Sequence, residues 1–278
     1  MRIFRRRPVG WQNDLSVDLA TRGLKEAGLK VSAVSGWESR GYMNRDVGET
    51  LGILCHHTAG PKKGIMPSLG TLVKGRTDPG NELPGPLAQL GLGRDGTYFI
   101  IAAGLCNHAG KGSWEGISTG NTNFIGIEAE NTGTTDDPWP KIQMDAYHHG
   151  VAAILKHVNR GVEFCAAHKE YALPAGRKDD PFFDMVAFRA SVAAIMSGAT
   201  PPLTLIPAAD PTGRPTLRRG AGGSAVKLLQ MKLNVAASGT FDATTEAAVR
   251  EFQRFHGLVP DGIVGPATWR SFDAVRIK

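Results

Sequence analysis

Five prolines (Pro201, Pro202, Pro207, Pro211 and Pro215) fall within residues 197–215, among Gly, Ala and Thr. Proline has no amide hydrogen and a fixed φ, so neither a helix nor a central strand runs through such a stretch. The chain therefore reads as two bodies joined by a semi-rigid extended linker. A length of 278 residues agrees, since domains average about 150. The expected division is an N-terminal segment (1–34), a main domain (35–196), the linker (197–215) and a small domain (216–278). Residues 1–34 read either as an extra layer of the main domain or as a separate element.

Charge narrows the partners. The formal net charge is +6, but Arg2, Arg5, Arg6 and Arg7 crowd the start, and residues 216–278 hold more basic than acidic groups. The long body between them is left net acidic. A nucleic-acid binder is expected to spread positive charge over its main domain, and this chain does not; the two basic ends suit an anionic polymer such as DNA or a cell-wall glycan. No run approaches the ~18 apolar residues of a membrane span. The basic start is broken by Pro8, Gly10, Trp11, Gln12, Asn13 and Asp14 instead of leading into an apolar segment, so a classical export signal is not expected. The three cysteines (Cys55, Cys106 and Cys165) are too few for a disulfide framework and read as thiols of a protein made in a reducing cytosol.

The last part repeats itself with an offset of 23: Val226-x-x-Leu229-Gln230 returns as Val249-x-x-Phe252-Gln253, and Gly239-x-Phe241-x-x-x-Thr245 as Gly262-x-Val264-x-x-x-Thr268. Each unit reads as a helix followed by a Gly-led turn whose Thr caps the next helix. The result is a small all-α bundle with Leu228, Leu229, Leu233, Val249, Phe252, Phe255 and Trp269 as its expected core. From Leu217 through Trp269 the motifs resemble the peptidoglycan-binding domain 1 family, which implies a non-catalytic cell-wall targeting module.

The longer part mixes periods. Strands are expected at Gly52–Cys55, at Thr97–Ala102 after the Asp95-Gly96 turn, and at Phe124–Glu130; helices at Ser16–Ala27, Lys141–Val158 and Asp184–Met196. Strands interleaved with helices mean an α/β domain around one sheet. Cys55 and Cys165 read as buried apolar residues.

Several polar residues stand out against this frame. His56 and His57 end an apolar strand and open into a Gly/Pro loop, as a polar terminus or as an imidazole facing a cleft. His168 and Asp180 are joined by a Pro/Gly segment able to fold both onto one point. With His56 they make two neutral nitrogens and one carboxylate, the three protein ligands a catalytic zinc needs beside an open position. Spacing alone equally allows a solvated loop. Glu128 and Glu130, two apart on a strand, share a face opposite Ile125, Ile127 and Ala129. They read either as ordinary carboxylates on a solvent-facing edge or as containing a general base.

Taken in order, H-H-T-A-G, N-H-A-G-K-G-S-W, N-F-I-G-I-E-A-E-N and H-K-E-Y-A-L-P-A-G-R-K-D-D-P resemble the zinc-dependent type-2 N-acetylmuramoyl-L-alanine amidases, over roughly Ser35 to Met196. The resemblance implies a mixed sheet flanked by helices, the fold shared with peptidoglycan recognition proteins. It also implies His56, His168 and Asp180 as zinc ligands, Glu128 and Lys178 as catalytic residues, and His108 as a cleft histidine facing substrate rather than metal. The loop before Asp180 is two residues longer than is usual in the family, which leaves Asp179 as an alternative ligand. The implied reaction is hydrolysis of the amide between N-acetylmuramic acid and L-alanine in peptidoglycan. The domain order resembles a phage or prophage endolysin: a monomer that reaches the wall once a holin opens the membrane.

Overall fold

The computed structural model describes residues 15–199, 209–258, 260 and 262–274. The basic run at the start and the middle of the proline-rich stretch lie outside the described residues. The chain divides into two units, residues 1–203 and 204–278. No helix among the described residues is long and apolar enough to cross a membrane.

Short apolar runs build a six-stranded mixed sheet in the first unit. Its strands are β1 (Val31–Ala33), β2 (Gly52–His57), β5 (Leu90–Leu92), β6 (Tyr98–Ile100), β7 (Phe124–Ala129) and β8 (Cys165–Ala167), in the order β1-β6-β5-β7-β2-β8. A separate two-stranded ribbon pairs β3 (Gly75–Arg76) with β4 (Leu83–Pro84). Only β5 and β6 run antiparallel within the large sheet. The Asp95-Gly96 turn joins them: the Asp95 carboxylate accepts from Thr97 N at 3.0 Å, and Gly96 takes a φ of 78°. Residues 15–34 belong to this layer, because β1 pairs with β6 and α1 (Leu15–Glu26) packs on α4 (Lys141–His157).

The longest helix, α4 (Lys141–His157), buries Tyr147, Val151, Ile154 and Leu155, a three-and-four spacing that makes one apolar stripe. It packs between α1 and α6 (Met185–Met196), and Asp184 caps α6 by accepting from Val186 N and Ala187 N. The short helices α2 (Leu69–Lys74), α3 (Gly120–Asn123) and α5 (His168–Tyr171) lie at strand ends. Leu54, Ala109, Phe124, Ala166 and Tyr171 form a second apolar cluster, so both faces of the sheet are covered. Strand β7 is therefore central, not a solvent-facing edge. Cys55 and Cys165 are fully buried on neighbouring strands.

The second unit contains α7 (Ser224–Lys232), α8 (Ala243–Phe255) and α9 (Pro266–Ala274). Its core holds Leu217, Val226, Leu229, Phe241, Val249, Val264, Trp269 and Phe272, with Leu233 and Phe252 partly buried against it. Two expected core residues are exposed instead: Leu228 at 43% and Phe255 at 86%. At ~100° per residue, Leu228 lies about 200° round the helix from Val226 and Phe255 about 240° from Val249, off the packed stripe. The cap of α8 also differs from expectation. Asp242 is the capping residue, and Thr245 is buried one turn inside, its N–H donating to the Asp242 carboxylate at 2.8 Å. The end of the proline-rich stretch is folded rather than extended. Arg214 pairs with Asp210 and Asp273 while lying over the Trp269 ring, and Trp269 Nε1 donates to the Pro215 carbonyl.

Candidate metal centre and cleft

Strand register alone sets two polar groups side by side. In the parallel pairing of β2 with β7, His56 lies opposite Glu128. The Tyr147 hydroxyl, from α4, accepts from His56 N and donates to the Ile127 carbonyl, clamping the two strands at this level. His168 begins α5 directly after β8. That turn is held by Glu170, which accepts from Ala167 N at 2.9 Å and is gripped by Arg189 through two contacts of 2.8 Å. Asp180 is brought back over α5 by Lys169, whose N–H donates to the Asp180 carbonyl at 2.7 Å.

These constraints converge on one point. His56 Nδ1 lies 3.0 Å from His168 Nδ1, and Asp180 Oδ2 lies 3.1 Å from each. Among the described residues, His56, His168 and Asp180 form the group of His, Cys, Asp and Glu able to hold a metal; Asp179 is not in it. Asp179 lines the neighbouring cleft.

The protons of this cluster follow from its outer contacts. A carbonyl oxygen only accepts, so His108 Nε2, 3.2 Å from the Phe124 carbonyl, carries a proton. In a neutral ring that leaves His108 Nδ1 as an acceptor, which His56 Nε2–H meets at 3.1 Å. His168 Nε2 likewise donates to the Ala109 carbonyl at 3.0 Å. Both Nδ1 atoms are then left with bare lone pairs, facing each other and a carboxylate oxygen. Three such acceptors repel unless a cation lies between them. Zinc bonds of ~2.0–2.1 Å at tetrahedral angles would set ligand atoms about 3.3 Å apart, close to the spacing here, so the residues present fit zinc.

Burial, with His168 beside it, lowers His56 to about 4 and keeps its imidazole neutral. Burial alone would raise Asp180, but contact with His168 and His56 outweighs it and holds the carboxyl well below its usual range. Glu128 behaves oppositely. Burial, and then the charge of Asp180, push it well above the ordinary glutamate range, against the opposing pull of Lys178 and Arg76. Its Oε1 is 3.9 Å from His56 Nδ1, and its Oε2 is buried without a partner.

Glu130, two residues on, is fully buried and fully engaged. Its carboxylate accepts from Thr58 Oγ1, Ser68 N and Ser68 Oγ at 2.8–3.0 Å. His108 lines the cleft, with its Nδ1 accepting from His56 Nε2 and its Nε2 donating to the Phe124 carbonyl. It stacks over Gly126, where a Cβ would come within 2.7 Å of the ring. His57 accepts from Phe182 N and stands apart from the cluster. Sequence reasoning missed Tyr147 and Arg76. Tyr147 lies on an ordinary apolar helix stripe, and Arg76 ends the two-residue strand β3; neither carries a local signal.

A cleft of about 650 Å³ opens over this point, lined by Glu128, His168, Lys178, Asp179, Asp180 and Arg76 among others. Residues 47–182 match the N-acetylmuramoyl-L-alanine amidase family and residues 222–271 a peptidoglycan-binding domain family. The chain carries an amidase domain followed by a peptidoglycan-binding domain. An uncharacterized protein of Kitasatospora aureofaciens is 40% identical over 93 residues, 31% of this chain and 78% of that protein. The zinc D-Ala-D-Ala carboxypeptidase of Streptomyces albus G is 42% identical over 62 residues, 19% of this chain and 24% of its own. The N-acetylmuramoyl-L-alanine amidase CwlL of Bacillus licheniformis is 39% identical over 70 residues, 22% of this chain and 19% of its own. The chain thus spans a quarter or less of these two named hydrolases.

Proposed function

We propose that the amidase domain hydrolyses the amide between the lactyl group of N-acetylmuramic acid and L-alanine in peptidoglycan, with His56, His168 and Asp180 holding zinc. The observation that carries this reading is the unpartnered Glu128 Oε2, buried beside three converging lone pairs at a cleft. When bound, zinc supplies Lewis acidity, acidifying water and polarising the scissile carbonyl. Glu128 accepts the proton that the attacking water loses and returns it to the alanine nitrogen as the C–N bond breaks. Its raised proton affinity suits it to keep that proton until the nitrogen leaves. Lys178, whose charge acts on both His56 and Glu128, faces the oxygen where negative charge develops; a fixed cation there needs no proton transfer. His108 keeps His56 in the tautomer that presents Nδ1.

The C-terminal domain holds the enzyme on the wall and raises local substrate concentration without touching the chemistry. With the two-domain order, this reading makes the chain an endolysin of a phage or prophage, acting as a monomer after a holin opens the membrane. Mass spectrometry of digested muropeptides tests the reaction. Free muramic acid ends beside intact stems are expected; shortened stems would mean a peptidase, and untouched material a binding protein. Metal analysis of His56→Ala, His168→Ala and Asp180→Ala should find zinc lost from each and kept in Asp179→Ala.

A further inference from the structure

We infer that Asn121 is a positioning residue for the metal centre, holding in place the two groups that orient its histidines. The inference rests on the zinc reading above and concerns a side chain outside the ligand set. A metal-bound imidazole is fixed by what its outer nitrogen meets, because that contact sets both the tautomer and the direction of the ring. Here the outer nitrogens of the two histidines meet consecutive residues. His56 Nε2 donates to His108 Nδ1 at 3.1 Å, and His168 Nε2 donates to the Ala109 carbonyl at 3.0 Å. Both supports therefore ride on one short stretch of backbone, with Cα atoms about 3.8 Å apart. A turn of that stretch would displace both rings together.

Other bonds tie the stretch at its ends. Asn107 N and Nδ2 donate to the Pro86 and Pro84 carbonyls, each at 2.9 Å, and the Lys111 carbonyl accepts from Leu173 N and from Arg177. Its middle hangs on Asn121. The Oδ1 of that side chain accepts from His108 N at 3.0 Å and from Ala109 N at 2.7 Å. Both partners are N–H donors, so the atom facing them is the carbonyl oxygen and not the amide nitrogen.

Asn121 is itself well seated. It lies in α3, whose first amide, Gly120 N, donates to the Tyr171 hydroxyl at 2.9 Å, and that hydroxyl donates on to the Ser118 carbonyl. Glycine lets α3 come this close, since a Cβ at Gly120 would fall 2.5 Å from the Ala109 Cβ. Three residues after Asn121, the Phe124 carbonyl accepts from His108 Nε2. One continuous segment, 120–124, thus grips His108 by backbone and ring and Ala109 by its backbone. Arg177 also reaches the Ala109 carbonyl, but at 3.4 Å it is the longer contact beside His168.

Chelator competition for zinc on the full chain tests this without turnover. Asn121 also lines the cleft, so binding is read with no substrate present. Asn121→Leu keeps the bulk and withdraws the acceptor, and zinc affinity should fall by roughly 10–100-fold. Asn121→Asp keeps an oxygen in the same place and should stay within about threefold of the wild type. Asp95→Ala strips the acceptor from the β5–β6 turn and controls for lost stability: its melting point should drop while zinc affinity stays within about threefold. A double-mutant cycle separates positioning from general loosening. In the His108→Leu background one of the two routes is already gone, so Asn121→Leu should cost at least ~3-fold less than in the wild type. Equal factors in the two backgrounds would overturn the inference. So would an Asn121→Asp or Asp95→Ala loss as large as that of Asn121→Leu. Should Asn121→Leu fail to fold, Asn121→Ser shortens the side chain away from both amides and carries the same cycle. A wild type that holds no zinc would take down the zinc reading and this inference together; tight zinc binding untouched by Asn121→Leu would remove the role of Asn121 alone.

Discussion

Both units bury polar side chains, and they treat them in opposite ways. In the small domain Gln230 and Gln253, related by the 23-residue repeat, are each almost fully enclosed. Gln230 donates to Thr240 O and Thr245 Oγ1 at 3.0 Å and accepts from Gly239 N at 2.8 Å. Gln253 repeats the pattern with Ile263 O, Thr268 Oγ1 and Gly262 N. Each amide ties a helix to the turn that follows it, and each engaged group points back into the fold. In the amidase domain His56, His168, Asp180 and Glu128 instead face one another with lone pairs and an orphaned oxygen. The two buried amides of the small domain have their bonds made within the fold, whereas Glu128 Oε2 is left without one beside the cleft. The same contrast recurs over two residues of one chain segment, between the saturated Glu130 and the unsaturated Glu128.

The largest expected effect separates those two glutamates. Glu128→Gln should keep zinc, by metal analysis, while turnover falls by ~10²–10⁴, the usual loss of a general base. Glu130→Gln should cost about 1–3 kcal/mol of stability in denaturant melts, since its acceptors would be half replaced by donors. An active Glu128→Gln enzyme would break the contrast at its centre.

Next comes the outer support of the cluster. His108→Leu removes the acceptor for His56 Nε2–H, so zinc affinity should drop by ~10–100-fold in a chelator competition, with partial rescue in His108→Gln. Unchanged affinity in His108→Leu would mean that the tautomer of His56 is set elsewhere.

In the small domain, Gln253→Met keeps the bulk and deletes the bonds. Leaving Gly262 N without its acceptor should destabilise that domain by about 1–3 kcal/mol without altering hydrolysis of soluble muropeptides. A silent substitution would show that these amides are not structural ties. The smallest effect belongs to Phe255→Ser. This side chain is exposed, so stability should move by no more than ~0.5 kcal/mol, although the sequence pattern had placed it in the core.

Much of this was legible in the chain itself. Prolines 201–215 imposed two bodies, the period of 23 imposed a repeated helical unit, and the apolar runs at Gly52, Thr97 and Phe124 predicted three of the sheet's strands. Those features depend on local backbone limits and on side-chain period, which residues carry with them wherever they are. The ordered motifs around His56, Glu128 and His168 likewise named residues that the fold brings together beside one cleft. Other features needed the folded molecule. Strands of two or three residues, such as β3, β5 and β8, have too little period to announce themselves. Whether Phe255 faces core or solvent depends on which stripe of α8 finds a partner. Glu128 and Glu130 are the same residue type on the same strand face. Only the approach of Thr58 and Ser68 to one, and of His56 to the other, makes the first a finished structural bond and the second an open group. That distinction rests on residues as many as 72 positions away in the chain, brought in by sheet register and loop closure. No local pattern encodes a distance of that kind.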